Sequence, residues 1–158
     1  MTRHCRLAAF LLLLSLPLGA CSTAFEDGLI DGGPEYSQFA SQQKALRDRA
    51  KAAFRQGDFT GAERTFRAAL AKDPLDAEGW LGLAAASDRL GRFDVADKAY
   101  AQVIAIAGRR GEVVNNMAWS QKLRGNAEAA RLLFAEALTL APGNPVIAAN
   151  ASGQNATS

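Results

Sequence analysis

An all-α solenoid of three antiparallel helix pairs is what this sequence predicts, on three observations. First, from residue 43 the chain repeats with a period of 34 and no insertions, so Gly57, Gly91 and Gly125 fall in one column. Second, Ala50, Ala84 and Ala118, Ala62, Ala96 and Ala130, and the aromatics Phe66, Tyr100 and Phe134 form further columns at the same spacing. Third, within each unit the apolar positions recur at helical intervals. Ala62, Phe66, Ala69 and Leu70 are the pattern in the first unit, repeated by Ala96, Tyr100, Val103 and Ile104 and by Ala130, Phe134, Ala137 and Leu138. That spacing is one face of an α-helix. One helix pair cannot bury such a face alone, whereas stacked pairs can.

The units are 43–76, 77–110 and 111–144 within a repeat region of 41–145. Each column has a physical cause. The alanines at 50, 84 and 118 are small where the first helix of a pair meets the second. The glycines at 57, 91 and 125 stand where the first helix stops, because glycine tolerates the left-handed conformation that turns the chain. Pro74, Gly108 and Pro142 break the second helix of each unit.

Before the repeats, residues 1–20 have the layout of an export signal. Arg3 and Arg6 are followed by an apolar run from Leu7 to Leu16, then Pro17 and small residues. The run is about half the ~20 residues that a membrane-spanning helix needs. Residues 21–40 include Gly28, Gly32, Gly33 and Pro34 with scattered acids. They read as a flexible tether.

Composition narrows the function classes. Arg3 and Arg6 precede Cys21 and every acidic residue follows it, so the chain from Cys21 onward is balanced at 16 basic and 16 acidic side chains. That balance argues against a nucleic-acid binder. The single His, His4, and the other cysteine, Cys5, also precede Cys21. Cleavage there leaves no histidine chemistry, no His-Cys metal site and no intrachain disulfide. No phosphate loop, dinucleotide fingerprint or nucleophile–base pair is present, so neither an enzyme nor a cofactor is expected.

Two resemblances extend this reading. Leu18-Gly19-Ala20-Cys21 resembles the bacterial lipobox, in which the cysteine carries diacylglycerol and its freed amine a further acyl chain such as palmitate. Two or more chains anchor stably. Ser22, rather than Asp, after the cysteine implies the outer membrane, with the protein facing the periplasm. The period and columns resemble the tetratricopeptide repeat. Unit 2 carries that family's opening residues as Trp80 and Leu83; unit 1 has Leu46 and Arg49 there, and unit 3 Val114 and Met117.

In that family the first helices line a concave groove. Carried over, the groove positions are Lys44, Arg47, Lys51 and Arg55 in unit 1, Glu78, Leu81, Ala85, Asp88 and Arg89 in unit 2, and Glu112, Asn115, Asn116, Trp119 and Lys122 in unit 3. The candidate partner-binding set is Lys44, Arg47, Lys51, Arg55, Asn115, Asn116 and Trp119. Amide side chains suit a peptide backbone, and tryptophan supplies flat apolar area. Lipobox, tether and three repeats are together similar to the TadD-type lipoproteins of tight-adherence (Flp) pilus systems, most closely at Asn115-Asn116-Met117-Ala118-Trp119 and Pro142-Gly143-Asn144-Pro145. The resemblance implies a pilotin-like factor whose partner is a pilus secretin. The alternative is a general scaffold for cell-wall or outer-membrane assembly enzymes.

At the end of the array, Leu132 and Leu133 replace the Arg64-Thr65 and Lys98-Ala99 of units 1 and 2. A cover is expected: Val146-Ile147-Ala148-Ala149 from residues 146–158, the partner, or a second copy making a homodimer through Leu132 and Leu133. After Asn150 the tail is small and polar, and disorder is expected there.

Overall fold

The computed structural model describes residues 34–153. They form seven α-helices and, among the described residues, no strand: α1 (Pro34–Arg55), α2 (Phe59–Leu70), α3 (Ala77–Arg89), α4 (Phe93–Ala107), α5 (Gly111–Leu123), α6 (Ala127–Leu140) and α7 (Pro145–Ala151). No helix among the described residues is long and apolar enough to cross a membrane. The expected signal and Cys21 lie outside the described residues.

The helices pair as α1 with α2, α3 with α4 and α5 with α6. Gly57, Gly91 and Gly125 have φ of 81°, 69° and 81°, so the predicted left-handed turn follows the first helix of every pair. The alanine column 50, 84, 118 is completely buried. Phe66, Tyr100 and Phe134 fill the centre of each successive pair.

Curvature follows from which helices touch across the joints. α1 meets α3, α3 meets α5 and α5 meets α7, while α2, α4 and α6 make no such contacts with one another. The first helices therefore form a continuous row on the inner side of the bend.

One glycine is fixed by packing rather than by turn geometry. A Cβ on Gly82 would stand 2.2 Å from Cζ of Phe66. The bare backbone of α3 is what lets the Phe66 ring, 2% exposed, lie between the first two pairs.

Two expectations need correction. The tether was expected to reach residue 40, yet α1 begins at Pro34. Proline suits the first helical position, Glu35 suits the first turn, and no Gly or Pro interrupts residues 35–56. Gln43 then donates to Asp73 at 2.9 Å and to Asp76 at 3.2 Å, tying the extended α1 to the turn before α3. Residues 22–33 of the expected tether lie outside the described residues.

The second correction concerns the end of the array. The expected cover in cis forms within α7, where Ile147 is buried against Val114 and Ala137, with Leu133 packed beside them. Leu133 is thus covered by its own chain. Leu132 points away from α7 and is 56% exposed, so the two leucines do not form one exposed patch.

Candidate partner-binding groove

The row of first helices leaves a concave strip in two adjoining depressions of about 290 and 320 Å3. Phe54, Ala85 and Asn116 belong to both. One end is bounded by Lys51, Arg55, Glu78 and Leu81, the other by Arg89, Trp119 and Leu123.

The seven sequence-predicted residues separate into two groups. Lys51, Arg55, Asn116 and Trp119 do line the groove. Lys51 pairs with Glu78 across the first joint, while Arg55 forms no ion pair among the described residues. Asn116 sits midway, and its backbone oxygen accepts from the Tyr100 hydroxyl at 3.1 Å. Trp119 is partly buried, with its ring edge-on to Phe134 at 5.6 Å and Lys122 Nζ 4.3 Å from the ring centre. It is therefore both packed and presented.

The other three are held elsewhere. Lys44 pairs with Asp48 at 2.6 Å on the exposed side of α1. Arg47 bridges to Asp76 at 2.9 Å and Glu78 at 3.0 Å, so its charge fastens α1 to the start of α3. Asn115, 8% exposed, accepts from the Asn150 side chain at 2.8 Å and faces α7. Of the four predicted cations on α1, Lys44 is thus paired within its own helix, and Arg47 and Lys51 are paired with Asp76 and Glu78. Of these four, only Arg55 is without an ion-pair partner among the described residues, so they do not act as a block of four cations.

Sequence reasoning missed Phe54. It stands in register with Asp88 and Lys122, so no column marks it. It forms the apolar floor shared by both depressions, edge-on to Phe59 at 5.2 Å. Arg89 lies over the same Phe59 ring at 4.6 Å.

A buried carboxylate underlies the second depression. Asp88 accepts from Tyr100 Oη at 2.8 Å and from Ser120 Oγ at 2.7 Å, with Arg124 4.0 Å away. Burial pushes the Asp88 carboxyl above the usual aspartate range, against the opposing effect of the two hydroxyl bonds and Arg124. Burial beside that carboxyl also drives the Tyr100 phenol well above its ordinary value, so it stays a donor. The network locks α3, α4 and α5 together beneath the groove. The whole strip offers an apolar floor, one central amide and a few cations, which is chemistry for holding a peptide.

Residues 47–112 match the family model of the tetratricopeptide repeat. The fold is a tetratricopeptide-repeat solenoid. The 34-residue register carries the solenoid beyond the matched segment into α5, α6 and α7. No curated protein matches the sequence.

Solved structures of tetratricopeptide-repeat shape match it more broadly. The Arabidopsis OM64 repeat domain is 18% identical, with a TM-score of 0.62 over 73% of this chain and 95% of that one. The Yersinia enterocolitica type III secretion chaperone SycD, in complex with a peptide of the translocator YopD, is 20% identical, with a TM-score of 0.60 over 71% of this chain and 86% of that one. A Thermobaculum terrenum O-GlcNAc transferase mutant is 22% identical with a TM-score of 0.63 over 72% of this chain, which spans 22% of that protein's length. At such identities the likeness concerns the fold.

Proposed function

We propose that this chain is a non-catalytic, lipid-anchored scaffold at the periplasmic face of a bacterial outer membrane, holding a segment of a partner protein in its groove. The partner that the sequence favours is a pilus secretin, which makes the protein a pilotin-like assembly factor of a Flp or type IV-type system. The observation that carries the reading is the strip between α1, α3 and α5, left open by residues 34–153, with Phe54, Asn116 and Trp119 in line along it. Peptide capture by a chaperone of similar fold supports it. The lipobox at Leu18–Cys21 and the TadD-like stretch at 115–119 support the location and the system.

A photo-crosslinking residue at Leu81, on the groove, tests this against one at Ala101, exposed on the second helix of the same repeat. In cells the Leu81 probe is expected to capture the secretin and the Ala101 probe not to. Capture of a cell-wall enzyme instead overturns the pilus assignment, and equal capture at both positions overturns the groove. In parallel, Cys21→Ser is expected to move the protein from the detergent phase to the aqueous phase. A Cys21→Ser protein that still partitions with membranes overturns the lipid anchor.

A further inference from the structure

The 34-residue register runs past the third helix pair. Pro145 stands 34 residues after Gly111, so α7 opens where the first helix of a fourth repeat would open. Ile147 takes the buried place in register with Val113, and Asn150 the place in register with Asn116. α5 has 13 residues, however, and α7 has 7. Gly153, at φ 78°, turns the backbone out of the helix well short of the register set by Gly57, Gly91 and Gly125.

Among the described residues, the half-length helix leaves a gap. Tyr100 is 4% exposed beneath the later turns of α5, whereas Phe134, its counterpart one repeat on, is 9% exposed. A depression of about 230 Å3 opens beside it, floored by Trp119, Ala130, Phe134 and Ala151 and rimmed by Lys122 and Arg131.

The charge at this end is inverted relative to the internal joints. Glu63, Asp97 and Arg131 occupy one register position. Glu63 receives Arg92 from the next pair, and Asp97 receives Arg124 at 3.0 Å. In the last repeat the acid is replaced by Arg131, whose ion-pair partner is Glu128 on the same helix turn, both well exposed. An element arriving at an internal joint meets an acid; one arriving here meets Lys122 and an arginine whose acid partner, Glu128, lies on its own helix.

We propose that this end is a second docking site, sharing only Trp119 with the concave groove, which takes an amphipathic helix of a partner protein. The helix is apolar where it enters the gap and acidic where it passes Arg131 and Lys122, and it completes the fourth repeat. Gln154-Asn155-Ala156-Thr157-Ser158, which follow α7 and Gly153, supply neither a large apolar side chain nor an acid. A second copy stacked in register is excluded sterically, because α7 already stands where its first helix would go. The inference does not depend on what occupies the groove.

The test uses the full-length chain with Trp80→Phe, so that Trp119 alone reports by fluorescence. Two synthetic helices of about 14 residues, roughly four turns, carry leucine along one face and either glutamate or lysine beside it. The glutamate helix is expected to shift Trp119 emission and to bind at least about tenfold tighter than the lysine helix at low salt, an order that Arg131→Glu reverses. Ala85→Lys, at a position shared by both depressions of the groove, is expected to leave that order unchanged. The indole N–H resonance of Trp119 in the unsubstituted chain gives the same reading if Trp80→Phe impairs folding. Equal binding of the two helices, no binding of either, or an order unchanged by Arg131→Glu overturns the proposal. So does concentration-dependent dimerisation by light scattering that buries Trp119, which assigns the end to a second copy.

Discussion

The side-chain amide of Asn150 donates to the side-chain oxygen of Asn115 across 2.8 Å, with both residues buried. That bond fastens α7 to α5 and makes the last helix part of the repeat stack. It also separates two adjacent asparagines that the sequence presents alike. Successive residues on a helix point about 100° apart, so Asn115 turns to α7 while Asn116 turns to the groove.

Asn150→Ala is expected to leave the Asn115 amide buried without that partner, at a cost of about 1–3 kcal/mol. Hydrogen exchange is expected to show residues 145–151 opening first, with a lower melting temperature. In a double-mutant cycle, adding Asn115→Ala is expected to cost much less than it does alone. Strict additivity of the two substitutions contradicts this account of α7.

Gly82→Ala is expected to lose about 1–3 kcal/mol through overpacking against Phe66, although alanine is the better helix former. Denaturant unfolding measures it. Phe66→Leu, itself destabilising, is expected to cost less in the Gly82→Ala background than in the wild type, because it relieves the 2.2 Å approach. A neutral Gly82→Ala shows that the ring can shift without loss.

Asp88 gives the solenoid a pH signature of definite sign. Its folded pKa lies above the ordinary 3.8, chiefly through burial. The folded state therefore holds the proton more tightly, and the stability so gained is complete below 3.8 and lost as pH rises through the folded value. Asp88→Asn removes that term. The advantage of the wild type over Asp88→Asn is expected to shrink as pH rises from about 3 to about 7 in urea titrations. Glu136, held low by its bond from Arg109, slopes the other way but is common to both proteins and cancels. Parallel stability curves show that Asp88 is solvated more freely than its burial indicates.

Trp119→Ala is expected to act on both stability and binding, because the ring packs on Phe134 and also faces the groove. A fully buried tryptophan costs about 3–5 kcal/mol on truncation; a partly buried one is expected to fall below that range. Trp119→Phe is expected to recover most of the stability but less of the affinity. Calorimetry of unfolding and binding on both variants separates the two effects. Loss of stability with unchanged affinity in the folded fraction removes Trp119 from the site.

The repeat columns were legible because each serves a contact made over and over at a fixed chain separation. Gly57, Gly91 and Gly125 turn the chain locally, and Ala50, Ala84 and Ala118 meet a helix of their own unit. Asn116 and Trp119 were found through the family pattern. Phe54 was not, since its counterparts Asp88 and Lys122 share neither size nor polarity. Arg47 was read as a groove cation, because nothing in the primary structure reveals that Asp76 and Glu78 lie beside it. Leu132 and Leu133 were both expected to need a cover, yet a rotation of about 100° between neighbours sends one under α7 and leaves the other in water.

What the amino-acid sequence determined by itself was the period and the helix pairing, since these follow from local turn chemistry and from apolar spacing on single helices; the inner row of first helices came with the family resemblance. What only the tertiary structure decided was the fate of individual polar side chains. Whether a lysine, arginine or asparagine is free for a ligand depends on which groups from other helices stand within about 3 Å of it. Those partners, such as Arg47 with Asp76 or Asn115 with Asn150, are some 30 residues apart in the chain and occur at one joint only. A side chain's availability is set by the joint that forms around it, and the joint exists only once the pairs have stacked.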